Sequence, residues 1–272
     1  TIEELVLAHP EEPLFRLILA DIYAKDAKYQ MAIDEYYLAL YSGFIKDDYV
    51  YNKLIQMYWQ QENTTNLLAV VLEAIARFPF SPEFYYYQGL ALSAQEEHEL
   101  CLEALLKGKD YIFDNDLLKS DFYSLIGDTY HKLKNHQESD KNYKFSLKHN
   151  PNNVLVLNNY SYYLSQREQD LTKAKEMIVR CLDLSEGSPN PSYIDTYAWV
   201  LYKLGEYALA QDQIEKALKI TNNSPVIFDH YGDILYKLGM KDDAIIYWKK
   251  SHELDSTNLQ VKDKIINNSK NE

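Results

Sequence analysis

The sequence contains little glycine, proline or cysteine. Its 272 residues include only 8 Gly, 8 Pro and 2 Cys. Because glycine and proline interrupt helices, their scarcity indicates a chain of helices joined by short turns. Cys101 and Cys181 are isolated and lack CxxC spacing, so neither a disulfide framework nor a metal site is indicated. We expect both cysteines to be buried as small apolar residues.

Positive charge and long apolar runs are also scarce. Lys and Arg number 28 against 41 Asp and Glu, which gives a formal charge of −13, and no basic run is concentrated enough to neutralise a phosphate backbone. Nucleic acid is therefore excluded as an expected partner. The longest apolar stretch, Leu67–Ala76, is about half of the roughly 20 residues that span a bilayer, and it contains Glu73. We expect no transmembrane helix.

Tyrosine, in contrast, is abundant. The chain has 25 tyrosines within a composition that is 46% hydrophobic and 25% charged, the balance of a folded protein. Several tyrosines fall in "DTYAWVLYKLGEYALA", where Tyr197, Trp199, Tyr202 and Tyr207 lie close together. Such a cluster is either a recognition surface or the packing of a helix pair.

An internal repeat accounts for these aromatics. Residues 191–224 align without gaps on residues 225–258, and both contain "LYKLG" at the same phase. When each unit is numbered from its first residue, positions 4, 7, 8, 11, 20 and 24 of the second unit are Phe228, Tyr231, Gly232, Leu235, Ala244 and Trp248. This pattern resembles the tetratricopeptide repeat, a helix–turn–helix unit of about 34 residues. Small residues at positions 8 and 20 let the two helices approach, and larger ones fill the gap.

The same frame runs through almost the whole chain. We expect one solenoid over residues 1–272, with repeats that start near residues 13, 48, 82, 120, 154, 191 and 225. Residues 1–12 match the second half of a preceding repeat, so we expect the chain to begin inside a repeat, and residues 259–272 match a polar capping helix and tail. The resemblance implies an all-α fold in which the repeats stack into a right-handed superhelix.

The resemblance also implies a concave groove lined by positions 2, 5, 9, 12 and 13. The candidate groove residues are Asn52, Gln56, Trp59, Tyr86, Leu90, Ser124, Asp128, His131, Asn158, Tyr162, Asp195, Trp199, Tyr202, Asp229, Asp233 and Tyr236. This lining alternates aromatic rings with Asp and Asn, which favours a protein or peptide partner that carries Lys or Arg. The lysines at position 13 partly offset the acidic charge. For each tyrosine, packing within the helix pair is an equal alternative.

The "DTYAWVLYKLGEYALA" aromatics divide by position. Tyr197 at position 7 and Tyr207 at position 17 belong to helix packing in the family pattern. Trp199 at position 9 and Tyr202 at position 12 should face the groove.

No catalytic, metal or cofactor site is expected. The motifs GxSxG, HExxH, GxxxxGK[ST] and GxGxxG are absent from the sequence. The segments "HELC" and "HKLKNH" are the nearest to a metal-ligand pattern, but Cys101 takes a packing position and His136 a turn. The family's carboxylate clamp is also missing, since Ser124 and Asp128 stand where it needs Lys and Asn.

Three hypotheses for function follow. The first is a non-catalytic scaffold that binds an extended peptide or a partner helix in the groove. The second is a regulatory or targeting region of a longer polypeptide whose activity lies upstream of residue 1, and the third is a self-association module. The last half of the chain also resembles large bacterial tetratricopeptide proteins, many of them envelope lipoproteins, which favours the cell envelope or periplasm over the cytoplasm.

Overall fold

The described residues are entirely helical apart from turns and loops. The computed structural model describes residues 1–42 and 48–269, and these ranges contain sixteen α-helices and no strand. They divide into two compact units, Thr1–Phe145 and Ser146–Glu272. The all-α prediction is confirmed. The prediction of one continuous solenoid over residues 1–272 stays a prediction.

The described residues of the first unit form eight helices and most of a ninth. These are α1 (Ile2–Ala8), α2 (Pro13–Lys25), α3 (Tyr29–Tyr41), α4 (Tyr49–Gln60), α5 (Thr64–Arg77), α6 (Pro82–Ala94), α7 (His98–Lys109), α8 (Asp116–Lys132) and α9 (His136–His149).

The second unit contains the rest. Its helices after α9 are α10 (Val154–Gln166), α11 (Leu171–Leu184), α12 (Pro191–Lys203), α13 (Tyr207–Ile220), α14 (Pro225–Lys237), α15 (Lys241–Leu254) and α16 (Leu259–Ser269). The helices pair as hairpins from α2/α3 onward, and α16 follows the last pair.

Local sequence sets the start of the first helix in each of the last two hairpins. Pro191 and Pro225 occupy the first turns of α12 and α14, where the missing N–H costs nothing. The preceding side chains accept hydrogen bonds from free backbone N–H groups, at 2.9 Å for Asn190 and 3.4 Å for Ser224. The helix starts are thus encoded by a cap followed by proline.

The turn inside each hairpin has one recurring conformation. In the last two repeats, position 15 is Gly205 or Gly239, with φ of 80° and 84°. The five earlier repeats use other residues at the same position, with φ between 53° and 61°: Ala27, Glu62, Glu96, Lys134 and Glu168. All seven hairpins therefore have left-handed backbone at the same repeat position, so the position numbers taken from the sequence correspond to equivalent places in the structure.

Small residues at positions 8 and 20 bring the paired helices together, as predicted. Ala198 and Ala210 have no exposed surface. Where position 8 is glycine, an added Cβ would collide with the residue at position 24, as at Gly232 against the Trp248 indole. Cys101 fills position 20 of its unit, with Sγ 3.2 Å from the Gly89 carbonyl oxygen.

Each unit has its own apolar core. In the second unit, Ile194, Leu201, Ile214 and Leu235 are buried together with Trp248. Both cysteines are buried and free, as expected. Within the described ranges, no helix combines the length and apolarity that crossing a bilayer requires.

Candidate protein-binding site

Six of the sixteen candidate groove residues meet in the second unit around one histidine. We call this group the Trp199 cluster, and its members are Tyr162, Asp195, Trp199, Tyr202, Asp229, His230 and Asp233. They come from the first helices of three consecutive hairpins, α10, α12 and α14. The sequence pattern predicted every member except His230.

The centre of the cluster is a stack of flat rings. The Trp199 ring lies 4.0 Å from the His230 ring at an interplanar angle of 15°, and 4.7 Å from the Tyr202 ring at 10°. Tyr162 approaches His230 at 6.3 Å between ring centroids. The buried Trp199 indole N–H has no hydrogen-bond partner among the described residues. Trp199 is thus held by stacking, and its donor is unused.

A buried ionisable pair lies beneath the stack. His230 Nδ1 is 2.8 Å from Asp195 Oδ1, and each residue is only 6% exposed. Burial by itself would lower the pKa of His230, but the Asp195 carboxylate, helped by Asp229 and Asp233, outweighs it and raises that pKa. The imidazolium form is therefore favoured in this position.

Lys264, on the final helix α16, pairs with the other two aspartates of the cluster, Asp229 and Asp233. Lys264 Nζ lies 2.6 Å from Asp229 Oδ1 and 2.8 Å from Asp233. The Trp248 indole N–H donates to Asp233 Oδ1 at 3.0 Å. Burial and the neighbouring Asp229 charge raise the pKa of Asp233, against the opposing effect of Lys264. Asp229 and Asp233 are thus already engaged within the chain.

A second lysine lies against the aromatic stack. Lys203 Nζ is 5.1 Å from the Trp199 ring centroid and 5.9 Å from that of Tyr202. Its ammonium also forms an ion pair with Glu168 Oε1 at 2.9 Å. Both distances to the rings are within the range of a cation–π interaction.

Two ion pairs between hairpins of the second unit share repeat positions that the sequence analysis missed. A cation at position 6 of one repeat meets an acid at position 5 of the preceding one, as in His230 with Asp195 and Lys264 with Asp229, both 35 residues apart. In the first unit, Lys53 at position 6 lies 3.2 Å from Asp21 at position 9 of the preceding repeat. The equal spacing of acid and base was the available signal.

The first unit carries eight other candidates, on three helices. On α4, Asn52, Gln56 and Trp59 are exposed. Trp59 is 49% exposed and lines a cleft of about 420 Å³ with Leu67 and Ala94. On α6, Tyr86 and Leu90 are half-buried.

The three candidates on α8 are half-buried and have neighbours within the chain. Asp128 accepts a hydrogen bond from the Tyr143 hydroxyl at 2.5 Å. The His131 and His136 rings lie 5.4 Å apart. Ser124 also lies on this helix.

The two remaining candidates belong to the second unit. Asn158 donates to Asn159 at 3.1 Å, and Tyr236 lies 5.6 Å from Trp248. The binding role of all sixteen residues stays a prediction.

The remaining chemical features to locate among the described residues are metal-ligand groups and the Cys181 thiol. Within residues 1–42 and 48–269, no group of three or more His, Cys, Asp or Glu side chains is placed to hold a metal ion. Burial raises the pKa of Cys181 to about 11, so that thiol is a poor nucleophile at neutral pH.

The hairpins, the left-handed turn and the packing positions together identify the fold. A family model described as tetratricopeptide repeat matches residues 12–254. The chain belongs to the tetratricopeptide repeat family. The resemblance drawn from the sequence is thereby confirmed.

Similar proteins include a bacterial one. The chain is 26% identical over 141 residues to the TPR repeat-containing protein PA4667 of Pseudomonas aeruginosa, a match that covers 52% of this chain and 23% of that protein. The chain therefore matches less than a quarter of the length of this curated relative.

Solved structures share the fold. A tetratricopeptide repeat protein from Parabacteroides merdae superimposes with a TM-score of 0.71 at 14% identity, covering 94% of this chain and 98% of that one. A chain of the APC/C hetero-tetramer Cut9–Hcn1 gives a TM-score of 0.76 at 14% identity, covering 98% of this chain and 51% of that one. At these identities the likeness concerns the fold alone.

Proposed function

We propose that this chain is a non-catalytic scaffold that binds an extended peptide or a partner helix through the Trp199 cluster. Tetratricopeptide repeats are in general protein–protein interaction scaffolds without enzymatic activity. The observation that carries the proposal is the convergence of three aromatic rings and three aspartates from α10, α12 and α14 at one place.

The composition of the cluster supports contact with a protein. Tyrosine and tryptophan give large contact areas with few rotatable bonds, so little entropy is lost when a partner fixes them. Such residues are enriched at the energetic centres of interfaces.

The buried ion pair supports a role other than stability. Replacement of a buried ion pair by apolar residues is often neutral or stabilising, because desolvation offsets the attraction. Asp195 and His230 are both almost fully buried, so packing alone gives little reason to place charges there. A sufficient reason for the pair is that Asp195 holds the His230 ring against Trp199 and so keeps Trp199 in place for binding.

Affinity capture with matched variants tests the proposal. We expect Tyr202→Ala and Trp199→Ala to reduce the recovery of a bacterial partner by at least about fivefold, the effect of losing one interface anchor. Tyr197→Ala is the control, since Tyr197 lies on the same helix but packs into the core.

The control separates binding from folding. Tyr197→Ala should lower the thermal unfolding midpoint and leave capture by the folded protein unchanged. If Tyr202→Ala and Trp199→Ala capture the partner as well as the parent chain does, the cluster is not the binding site.

A further inference from the structure

We propose that the partner places a lysine or arginine side chain against the Trp199–Tyr202 ring stack, at the position that the Lys203 ammonium now occupies. This inference rests on the proposed function and names the chemistry that the same site recognises. Lys203 then acts as an internal occupant that a partner's cation displaces.

The position of Lys203 identifies the cation site. Its Nζ lies 5.1 Å from the Trp199 centroid and 5.9 Å from the Tyr202 centroid. Aromatic rings attract cations through the negative charge density of their faces, and tryptophan does so most strongly. An ammonium of this chain has therefore settled where a foreign ammonium or guanidinium would be held.

Lys203 is held by an ion pair with a solvent-exposed partner. The Glu168 side chain is 65% exposed, whereas the Lys203 side chain is 19% exposed. Water and salt on the Glu168 side screen the pair and reduce its contribution to stability. Once displaced, Lys203 can extend into solvent at the end of α12, so its departure buries no charge.

The surrounding charge favours a cation. Burial, together with the negative charges of Asp233, Asp229 and Glu168, raises the pKa of Tyr202 to about 12. The same negative potential attracts a basic side chain, and the net charge of −13 acts over a longer range in the same direction. Lys264 and His230 neutralise part of this charge through their ion pairs with Asp229 and Asp195, while Glu168 keeps negative charge beside Lys203.

Blocked tripeptides test the inference on the full chain. The probes are acetyl-Gly-Arg-Gly-amide and acetyl-Gly-Lys-Gly-amide, with citrulline and norleucine versions as uncharged controls. Binding is followed by the NMR shift of the Trp199 indole N–H, assigned with Trp199→Phe. We expect a saturable shift with a charged probe and none with the controls, and the two charged arms identify which basic group is preferred.

Substitution of Lys203 tests directly whether its ammonium competes with the charged probe. Lys203→Gln should tighten binding of the charged probe about two- to fivefold, because one internal cation–π competitor is lost. Tyr202→Leu should weaken it by a similar factor. Lys237→Gln, at position 13 of the next repeat, is the matched control and should leave the affinity unchanged.

Two results would overturn the inference. One is an equal shift with the citrulline or norleucine probe, and the other is an unchanged affinity in Lys203→Gln. These results are distinct from failure of the proposed function, because partner capture that depends on Trp199 without any response to charged probes leaves the scaffold in place and removes only the cation site.

Discussion

Aspartate at position 9 of the repeat has the same structural partner in three units. Each accepts a hydrogen bond from the ring at position 24, 15 residues later: Tyr36 to Asp21, Tyr143 to Asp128 and Trp248 to Asp233. The distances are 2.5, 2.5 and 3.0 Å. Part of the tyrosine content is therefore explained by buried rings whose hydroxyl groups need an acceptor.

Removal of one such hydroxyl group should measure this bond. Tyr36 is fully buried, and hydrogen bonds from Tyr36, Tyr49 and Lys53 lower the pKa of Asp21 although burial acts against them. We expect Tyr36→Phe to reduce the free energy of unfolding by about 1–2 kcal/mol, because Asp21 keeps its other two partners. Urea denaturation is the measurement.

The exposed Tyr41 supplies the control for this experiment. Its hydroxyl lies 3.3 Å from Glu73, and its side chain is largely in solvent. Tyr41→Phe should change the stability by less than about 0.5 kcal/mol. Equal losses of stability in the two variants would mean that the buried hydrogen bond from Tyr36 to Asp21 adds no more stability than the exposed one from Tyr41.

His230 makes stability depend on pH. Its pKa in the folded chain lies above the ordinary value of 6.5. A group whose folded pKa is raised contributes stability that is fully present below the unfolded pKa and is lost as the pH rises through the folded pKa. We expect the parent chain to lose this contribution as the pH rises from about 6.5 through the raised folded pKa, whereas His230→Gln should not.

Unfolding midpoints of the two chains across this range test the sign. The charged or titratable groups that act on His230 are Asp195, Asp229 and Asp233. The difference in stability between parent and His230→Gln should be largest at the acid end and should shrink toward high pH. A difference that grows with pH would show that the histidine is held neutral.

The left-handed turn at position 15 is a property of the hairpin as an element. Five hairpins place a residue with a side chain there, although glycine adopts this backbone without steric cost. Lys134→Gly should therefore stabilise the chain by up to about 1 kcal/mol, and Gly239→Ala should destabilise it by about 1 kcal/mol. Thermal unfolding of both variants checks the opposite signs, and a shift in the same direction would contradict the argument.

Helix α16 is attached by charge as well as by apolar contact. Val261 is buried in the core of the second unit, and Lys264 bridges Asp229 and Asp233. Lys264→Met should cost about 1–3 kcal/mol at neutral pH, since two partly buried carboxylates lose their cation. The cost should fall at acid pH, because the raised pKa of Asp233 lets that carboxylate lose its charge as the pH falls.

Lys262 is the matched control on the same helix. It is exposed, and Lys262→Met should leave the unfolding midpoint nearly unchanged. Equal effects of the two substitutions would mean that the loss of any positive charge, rather than this bridge, weakens α16.

The whole chain consists of two compact units, and stability in repeat proteins is a sum over repeats and neighbouring interfaces. Tyr36 and Lys264 belong to different units and bond to different partners. We therefore expect the losses of Tyr36→Phe and Lys264→Met to add within about 0.5 kcal/mol in the double variant. Denaturation of the double variant is the test, and a larger deviation would reveal coupling between the units.

Much of the architecture could be predicted before the structure. The period was visible because "LYKLG" recurs in phase, and the small residues of positions 8 and 20 fixed the helix pairing. Less of the site could be predicted. Asp229 and Asp233 fall at groove positions, but Lys264 takes both as partners.

Periodicity in the sequence determines the helices, their pairing and the side chains that pack between them, because these contacts lie within one repeat or its neighbour and recur at constant spacing. Which acids of the Trp199 cluster are paired depends on the distances between side chains of neighbouring repeats. His230 and Lys264 occupy ordinary positions in the frame, and only folding brings them to Asp195, Asp229 and Asp233. Whether an acid is open to a partner or already neutralised is settled by distances of a few ångströms, since charge pairing weakens steeply with separation and exposure to water.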